Sequence, residues 1–344
     1  MVKTLEQKIG QLIIAGFRDN LISEETDIIN YIRDFNISGV ILYDEDTEKG
    51  GIGSRNINSQ NQLKTLTSSI QDSTQGPLFI SLDQEGGKVN RLKEEYGFPN
   101  FPSWKSIGDL DQESETEKTT TILADCLSDY GINLNYAPVL DFDYGENSYI
   151  GNSERALSKN PEKIIKHSSI FIKNLKNKNI ISCVKHFPGQ GSGFGDTHEG
   201  ITDITETWSI DELIPYERMI KTNEIDMIMI SHVFHREYDS ALPASLSKKI
   251  ITNLLRENLH FEGVIICDDP SMKAISNNYS LEDTFSLMIN AGIDMFCLGN
   301  NLDYDFNYVP KCIDAIVGGI KKGKISLNLI ERSISRINSL KSKL

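Results

Sequence analysis

The stretch "GVIICDD" (residues 263–269) decides the fold, because a short apolar run without polar alternation ends there on two acids. Such a composition is typical of a strand buried on both faces of a parallel sheet. A segment with helix-like periodicity follows it. The same unit recurs along the chain, with apolar runs at residues 11–17, 37–43, 76–83, 132–142, 180–187, 225–233 and 292–300.

Eight such units in 344 residues predict an α/β fold, namely a (β/α)8 TIM barrel built from right-handed crossovers. An open, doubly wound sheet is the alternative, because sequence periodicity cannot show that a ring closes. No linker rich in Pro, Gly or Ser divides the chain, so we predict a single domain over residues 1–344.

The composition excludes several classes of partner. Apolar residues make up 39% of the chain and charged residues 24%, which allows a substantial core. Acids outnumber Lys and Arg by 49 to 35, and the net charge of −14 repels nucleic acids and anionic lipids in the absence of a basic patch. No run approaches the ~18 apolar residues of a membrane span. We therefore expect neither a nucleic-acid nor a membrane partner.

The amino terminus and the cysteines indicate a cytoplasmic location. The opening sequence "MVKTLEQKIGQLIIAGF" carries an acid and a Gln where a secretory apolar region should run. Five cysteines are scattered without CxxC spacing, and this odd number is typical of reduced thiols. The sequence leaves the oligomeric state open and is compatible with a monomer.

Polar side chains stand at the carboxyl ends of several predicted strands. In a barrel these ends meet at one mouth, where the loops after the strands build the active site. Five separate strands would thus contribute to one site, through Asp83, His186, His232, Asp268 and Asn300.

A glycine-rich stretch, "KHFPGQGSGFGDTHEG" (residues 185–200), carries the pair Asp196 and His198. Its glycines do not have the spacing of a phosphate-binding loop. A metal site made of His186, Asp196 and His198 is a second interpretation, but no compact His/Cys cluster supports it, and we expect no metal. The remaining interpretation is acid/base catalysis, with Asp196 orienting the imidazole and glycine giving the loop mobility.

Two adjacent carboxylates, Asp268 and Asp269, end the stretch that opened this section. Only one of them can point into the barrel mouth, because neighbouring side chains on a strand alternate. That one is a candidate nucleophile, and the other is a candidate helix cap or orienting group.

The sequence resembles glycoside hydrolase family 3, in particular its single-domain β-N-acetylglucosaminidase branch, over residues 5 to about 340. Several motifs carry the resemblance in the family's order: "EQKIGQLIIAGF", "SLDQEGGKVNRL", "FPS", "NLNYAPVLDFD", "VKHFPGQG", "DTH", "LPASLSKKIITNLLRENLHFEGVIICDDPSM" and "AGIDMFCLGN". The family's fold is a (β/α)8 barrel, in agreement with the strand count.

The resemblance implies a retaining β-N-acetylhexosaminidase that needs no cofactor. It assigns the nucleophile to Asp268 and the acid/base to His198, which Asp196 holds. The sugar hydroxyls would be bound by Asp83, Lys185, His186 and Arg155, and His232 also matches a family position. The partner would be a small β-glycoside, for which peptidoglycan fragments are one source.

The chain departs from the usual family pattern at a few positions, which are Lys88, Gln190, Ser192, Gly193, Pro270 and the spacing around Arg155. Three alternatives to the hexosaminidase stay open on the sequence alone. They are a β-glucosidase of the same family, a β-glycoside phosphorylase, and a glycan-binding barrel without activity.

Overall fold

A computed structural model describes residues 3–196 and 199–344, and within them eight parallel strands close into one barrel. In chain order they are β1 Ile13–Gly16, β2 Gly39–Ile41, β3 Phe79–Leu82, β4 Leu134–Asn135, β5 Ile181–Phe187, β6 Met227–Ile230, β7 Val264–Cys267 and β8 Met295–Leu298. Each lies inside one of the predicted apolar runs, so the predicted barrel is confirmed.

The ring closes between the first and the last strand. Ile14 of β1 is in register with Gly39 of β2 on one side and with Cys297 of β8 on the other. An open sheet would leave β1 and β8 as unpaired edges, and the doubly wound alternative is therefore excluded.

Helices surround the barrel. They are α1 Leu5–Gly10, α2 Asp27–Phe35, α3 Gln60–Asp72, α4 Trp104–Leu110, α5 Glu113–Asp129, α6 Tyr149–Asn152, α7 Pro161–Lys176, α8 Ile214–Lys221, α9 Lys273–Ser276, α10 Leu281–Ala291, α11 Tyr308–Lys321 and α12 Leu327–Lys341, with a π-helix at Lys249–Asn258 and 3₁₀ turns at Glu94–Tyr96, Ile210–Leu213 and Ala244–Leu246. Among residues 3–196 and 199–344, no helix combines the length and the apolar composition needed to cross a lipid bilayer.

Local sequence sets the helix ends. The Asn160 side chain accepts from the backbone N–H of Glu162, and Pro161 occupies the first turn of α7, where its missing N–H costs nothing. Gly292 ends α10 with a φ of 111°, a left-handed conformation that glycine adopts without a steric penalty. These signals fix where α7 begins and where α10 ends.

The strands are buried along their whole length, and their packing leaves little space at the ring. A Cβ built on Gly16 of β1 would lie 1.8 Å from the carbonyl oxygen of Gly299 after β8, so only glycine permits this approach. Because all strands are parallel, their carboxyl ends open on one mouth.

Candidate active site

A cavity of about 490 Å³ lies at the carboxyl ends of the strands. Five of the residues predicted from the sequence line it, and they come from loops or ends of different strands. These residues are Asp83, Arg155, Lys185, His186 and Asp268. The tertiary fold therefore brings most of the predicted site together.

Lys185 forms the centre of a charged cluster in this cavity. Its side chain is 2% exposed, and its Nζ lies 2.7 Å from Oδ1 of Asp83 and 2.6 Å from Oε1 of Glu85. Burial alone would lower the pKa of this ammonium, but the two carboxylates outweigh it and raise the pKa. Lys185 is therefore a permanent cation on the cavity wall.

Glu85 also binds Arg155 through two hydrogen bonds. Nε of Arg155 donates to Oε2 and Nη2 donates to Oε1, both at 2.8 Å, which is the bidentate geometry of a strong pair. Burial would raise the pKa of Glu85, but the charges of Arg155 and Lys185 reverse that effect and hold its pKa well below the usual range. Two cations and the carboxylate between them thus form one rigid unit.

His186 is fixed by a second carboxylate. Its Nδ1 lies 2.6 Å from Oδ2 of Asp141, so the carboxylate accepts and the proton resides on Nδ1. Nε2 is then the acceptor for Nη2 of Arg155, at 3.1 Å. Although neighbours on a strand normally face opposite sides, Lys185 and His186 both line the cavity, at the point where the ladder between β5 and β6 shifts register.

The two adjacent acids after β7 have different surroundings. Asp268 is partly exposed and lines the cavity, while its Oδ1 accepts from the N–H of Asp269 at 2.9 Å. Asp269 also belongs to the lining, but it is buried and accepts from the N–H groups of Ser271 and Gly299 at 2.9 and 3.0 Å. Burial is the main reason that the pKa of Asp269 is raised to about 6, and the charge of Asp268 adds to it. Asp269 fixes the turn that presents Asp268.

His232 lies behind this turn and does not belong to the cavity lining. It is fully buried, with Nδ1 at 2.7 Å from the Ser245 hydroxyl and Nε2 at 3.0 Å from the carbonyl oxygen of Asp269. Its ring nitrogens thus hold the β7 turn, and the sugar contact that the family resemblance implies for His232 stays a prediction. Asn300 likewise bonds the backbone of Asp305 rather than the cavity.

The predicted acid/base pair is described in part. Asp196 interacts with the hydroxyl of Tyr149, a residue of the cavity lining. Burial is the main reason that the pKa of this hydroxyl is raised, and the charge of Asp196 and a hydrogen bond to it act in the same direction. His198, the predicted proton donor, lies outside the described residues.

The first part of the glycine-rich stretch is closely packed, and the mobility expected of its glycines stays a prediction. Residues 187–193 are buried. A Cβ built on Gly191 would lie 2.1 Å from the carbonyl oxygen of Phe142, which shows that glycine serves close packing there. Gln190, one of the departures from the family pattern, accepts from the Ser231 hydroxyl at 2.8 Å and lines the cavity.

Sequence reasoning missed the partners of the predicted residues. Glu85 stands in the quoted motif "SLDQEGGKVNRL", two residues after the run 76–83, and Asp141 stands in "NLNYAPVLDFD", as the last residue but one of the run 132–142, but the sequence analysis assigns neither of them a role. Arg91, from the first of these motifs, also lines the cavity, with Nη2 at 3.8 Å from Oδ2 of Asp83. Lys88 instead donates to the Asn152 carbonyl oxygen and is exposed. The motifs themselves were the available signal.

A metal centre finds no support in the part of the chain that is described. Over residues 3–196 and 199–344, no three His, Cys, Asp or Glu side chains are grouped so that they could hold a metal ion. The cavity is instead lined by hydrogen-bond donors and acceptors of both charges, an arrangement suited to a polyhydroxylated ligand.

Comparison with known proteins identifies the family. Residues 4–340 match the family described as the glycosyl hydrolase family 3 N terminal domain. A β-hexosaminidase from Photobacterium profundum is 34% identical over 295 residues, which cover 85% of this chain and 83% of that protein.

Solved structures agree with the sequence comparison. A glycoside hydrolase family 3 β-N-acetylglucosaminidase from Paenibacillus sp. superposes with a TM-score of 0.88 at 28% identity, over 99% of this chain but only 63% of that one. A β-N-acetylhexosaminidase from Beutenbergia cavernae has a TM-score of 0.87 at 23% identity, with 99% of both chains covered, and this likeness concerns the fold.

Proposed function

Because the chain belongs to glycoside hydrolase family 3 and is a glycoside hydrolase, we propose that it removes terminal β-linked N-acetylhexosamine from small β-glycosides. The observation that carries the proposal is the position of Asp268, a partly exposed carboxylate in a cavity walled by Lys185, Arg155 and His186. The names of the relatives supply the sugar, and peptidoglycan fragments are a proposed source of it.

The reaction begins with attack of Asp268 on the anomeric carbon. The bond from this carbon to the leaving oxygen breaks as His198 donates a proton to that oxygen, and a covalent glycosyl-enzyme forms. His198 then takes a proton from water, which attacks the same carbon and releases Asp268. Two displacements at one carbon retain its configuration. Asp196 orients the imidazole, and support for this pair comes from the "DTH" motif.

The charged cluster holds the sugar in this proposal. Each sugar hydroxyl both donates and accepts, and hydrogen bonds to ionised partners are roughly twice as strong as neutral ones. Asp83 accepts from hydroxyls, while Lys185 and Arg155 donate to them. The mutual bonds of these groups keep them oriented before the sugar arrives, which avoids an entropic cost on binding.

We assign the whole of residues 1–344 to one catalytic domain that uses no cofactor. We also retain a cytoplasmic location as part of the proposal, which is supported by the five cysteines, all of them free and buried.

The test is Asp268→Asn, assayed on 4-nitrophenyl N-acetyl-β-glucosaminide with and without phosphate and beside the matching glucoside. We expect kcat to fall at least about 10³-fold, equivalent to about 4 kcal/mol of lost transition-state stabilisation. The matched control is Asp303→Asn. Asp303 is an exposed acid on the loop after β8, so its replacement should leave kcat unchanged. Undiminished turnover by Asp268→Asn would refute the assignment, and sugar 1-phosphate as the product would identify a phosphorylase.

A further inference from the structure

Glu212 is a buried carboxyl group that the proposed reaction does not use. It lies in the turn Ile210–Leu213 directly before α8, and it is 1% exposed. Its Oε1 accepts from the Tyr144 hydroxyl at 3.0 Å and from the N–H of Ser209 at 3.4 Å. Its Oε2 is buried without a hydrogen-bond partner among the described residues. A carboxylate with an unsatisfied buried oxygen is costly, so the protonated form is favoured.

This unsatisfied oxygen faces the segment that carries His186. A Cβ built on Gly189 would lie 2.4 Å from Oε2 of Glu212 and 3.0 Å from Nε1 of Trp208. Nε1 of Trp208 donates to the carbonyl oxygen of Pro188 at 3.2 Å. Glu212 and Trp208 therefore pack against residues 188 and 189.

The other side of the same segment is held by Asp141. This carboxylate accepts from the N–H of His186 at 3.3 Å and from the N–H of Gln190 at 2.8 Å, in addition to its bond with the imidazole. Two acidic side chains thus contact residues 186–190. The negative charge of Asp141 therefore disfavours a second negative charge on Glu212.

The surroundings of Glu212 agree with a group that is neutral at physiological pH. Burial is the largest influence and the charge of Asp141 the next, and together they raise the pKa of Glu212 to about 8. The Tyr144 hydrogen bond and the charge of Lys159 act in the opposite direction. Tyr216 of α8 also faces Glu212, and Asp211 on the same turn acts on Tyr144.

We propose that protonated Glu212 is a positioning residue that holds residues 186–190 in place. Its ionisation adds a negative charge that repels Asp141, displaces His186 and weakens sugar binding. The inference extends the proposed function, since it rests on sugar binding at this cavity. It also predicts an event in the protein alone, which is the titration of a carboxyl group beside Trp208.

The first experiment follows Trp208 fluorescence from pH 6 to 9.5 in the full chain with Trp104→Phe, which removes the chain's second tryptophan. We expect a transition near pH 8 that Glu212→Gln abolishes. Glu206 is an exposed acid of the same loop, and Glu206→Gln should preserve the transition. Tyr144→Phe should move it to higher pH, because the lost hydrogen bond favours the ionised form. An unchanged transition in Glu212→Gln, or no transition in the parent, would overturn the proposal, and the Tyr144→Phe shift tests it if Glu212→Gln does not fold.

The second experiment measures the dissociation constant of N-acetylglucosamine over the same pH range. If only the protonated form of Glu212 allows binding, the dissociation constant of the parent at one pH unit above the midpoint of the fluorescence transition should be about tenfold larger than at low pH. Glu212→Gln should flatten this dependence, an effect that a merely structural role would not produce. An equal dependence in both proteins would refute the positioning role. Absence of N-acetylglucosamine binding at every pH would count against the proposed function, and the fluorescence titration would still decide the role of Glu212.

Discussion

Glu85→Gln is the perturbation that tests most directly how the cavity is held together. Glu85 accepts from Lys185 at 2.6 Å and twice from Arg155 at 2.8 Å, and its side chain is 2% exposed. With Asp83, the cluster contains two acids and two cations. The substitution keeps the volume but removes one negative charge, which leaves two buried cations with a single acid.

The expected cost follows from these distances. One ion pair at 2.6 Å in an effective dielectric of about 20 is worth roughly 6 kcal/mol, and desolvation of both charges offsets a large part of it. Removing one member of a buried pair typically costs about 3–5 kcal/mol, because the partner stays buried and uncompensated. We therefore expect Glu85→Gln to lower the free energy of unfolding by about 3–5 kcal/mol.

Urea unfolding of a double-mutant cycle provides the measurement. Lys185→Met and Glu85→Gln together restore the charge balance, so the double variant should be more stable than the sum of the single losses predicts, by about 1–3 kcal/mol. The exposed pair Arg33 and Asp34 is the matched control cycle and should show no measurable coupling. Additive losses in the Glu85 cycle, or a stable Glu85→Gln protein, would refute the reasoning.

Two further predictions concern pH and packing. The pKa of Glu85 lies below its usual value of 4.5, so the contribution of Glu85 to stability is present above pH 4.5 and is lost as the pH falls below it. Urea midpoints measured from pH 6 to 2 should therefore fall more steeply for the wild type than for Glu85→Gln. Parallel curves for the two proteins would contradict this prediction. Gly191→Ala should destabilise the fold by about 1–3 kcal/mol, because its Cβ would meet the backbone of Phe142. Gly200→Ala should be neutral, because no described residue lies within 4 Å of the Cβ that it would add. Equal urea midpoints for the two variants would contradict this prediction.

The sequence predicted the strands and the strand-end residues because both depend on local pattern. Each apolar run contains one strand, and three of the five strand-end residues, Asp83, His186 and Asp268, line the cavity. Lys185 and Arg155 also line it, but only the family resemblance pointed to them. Glu85 escaped assignment because its role depends on Lys185 and Arg155, which are far away in the chain and meet it only after the ring closes. His232 has the same strand-end position, but it lies outside the cavity lining, with its ring nitrogens next to Ser245 and the carbonyl oxygen of Asp269, a difference that the strand-end pattern cannot show.

The glycine-rich stretch shows why composition alone misleads. Mobility and close packing both favour a residue without a Cβ, so the letters cannot distinguish the two uses, and only the neighbours in space can. Here Phe142 and Glu212 occupy the space that side chains at Gly191 and Gly189 would need. The carbonyl oxygen of Gly193 then accepts from the N–H of Tyr149, whose hydroxyl interacts with Asp196. The acid of the predicted dyad therefore follows a fixed point of the chain, and the position of that point depends on the same buried groups that hold His186.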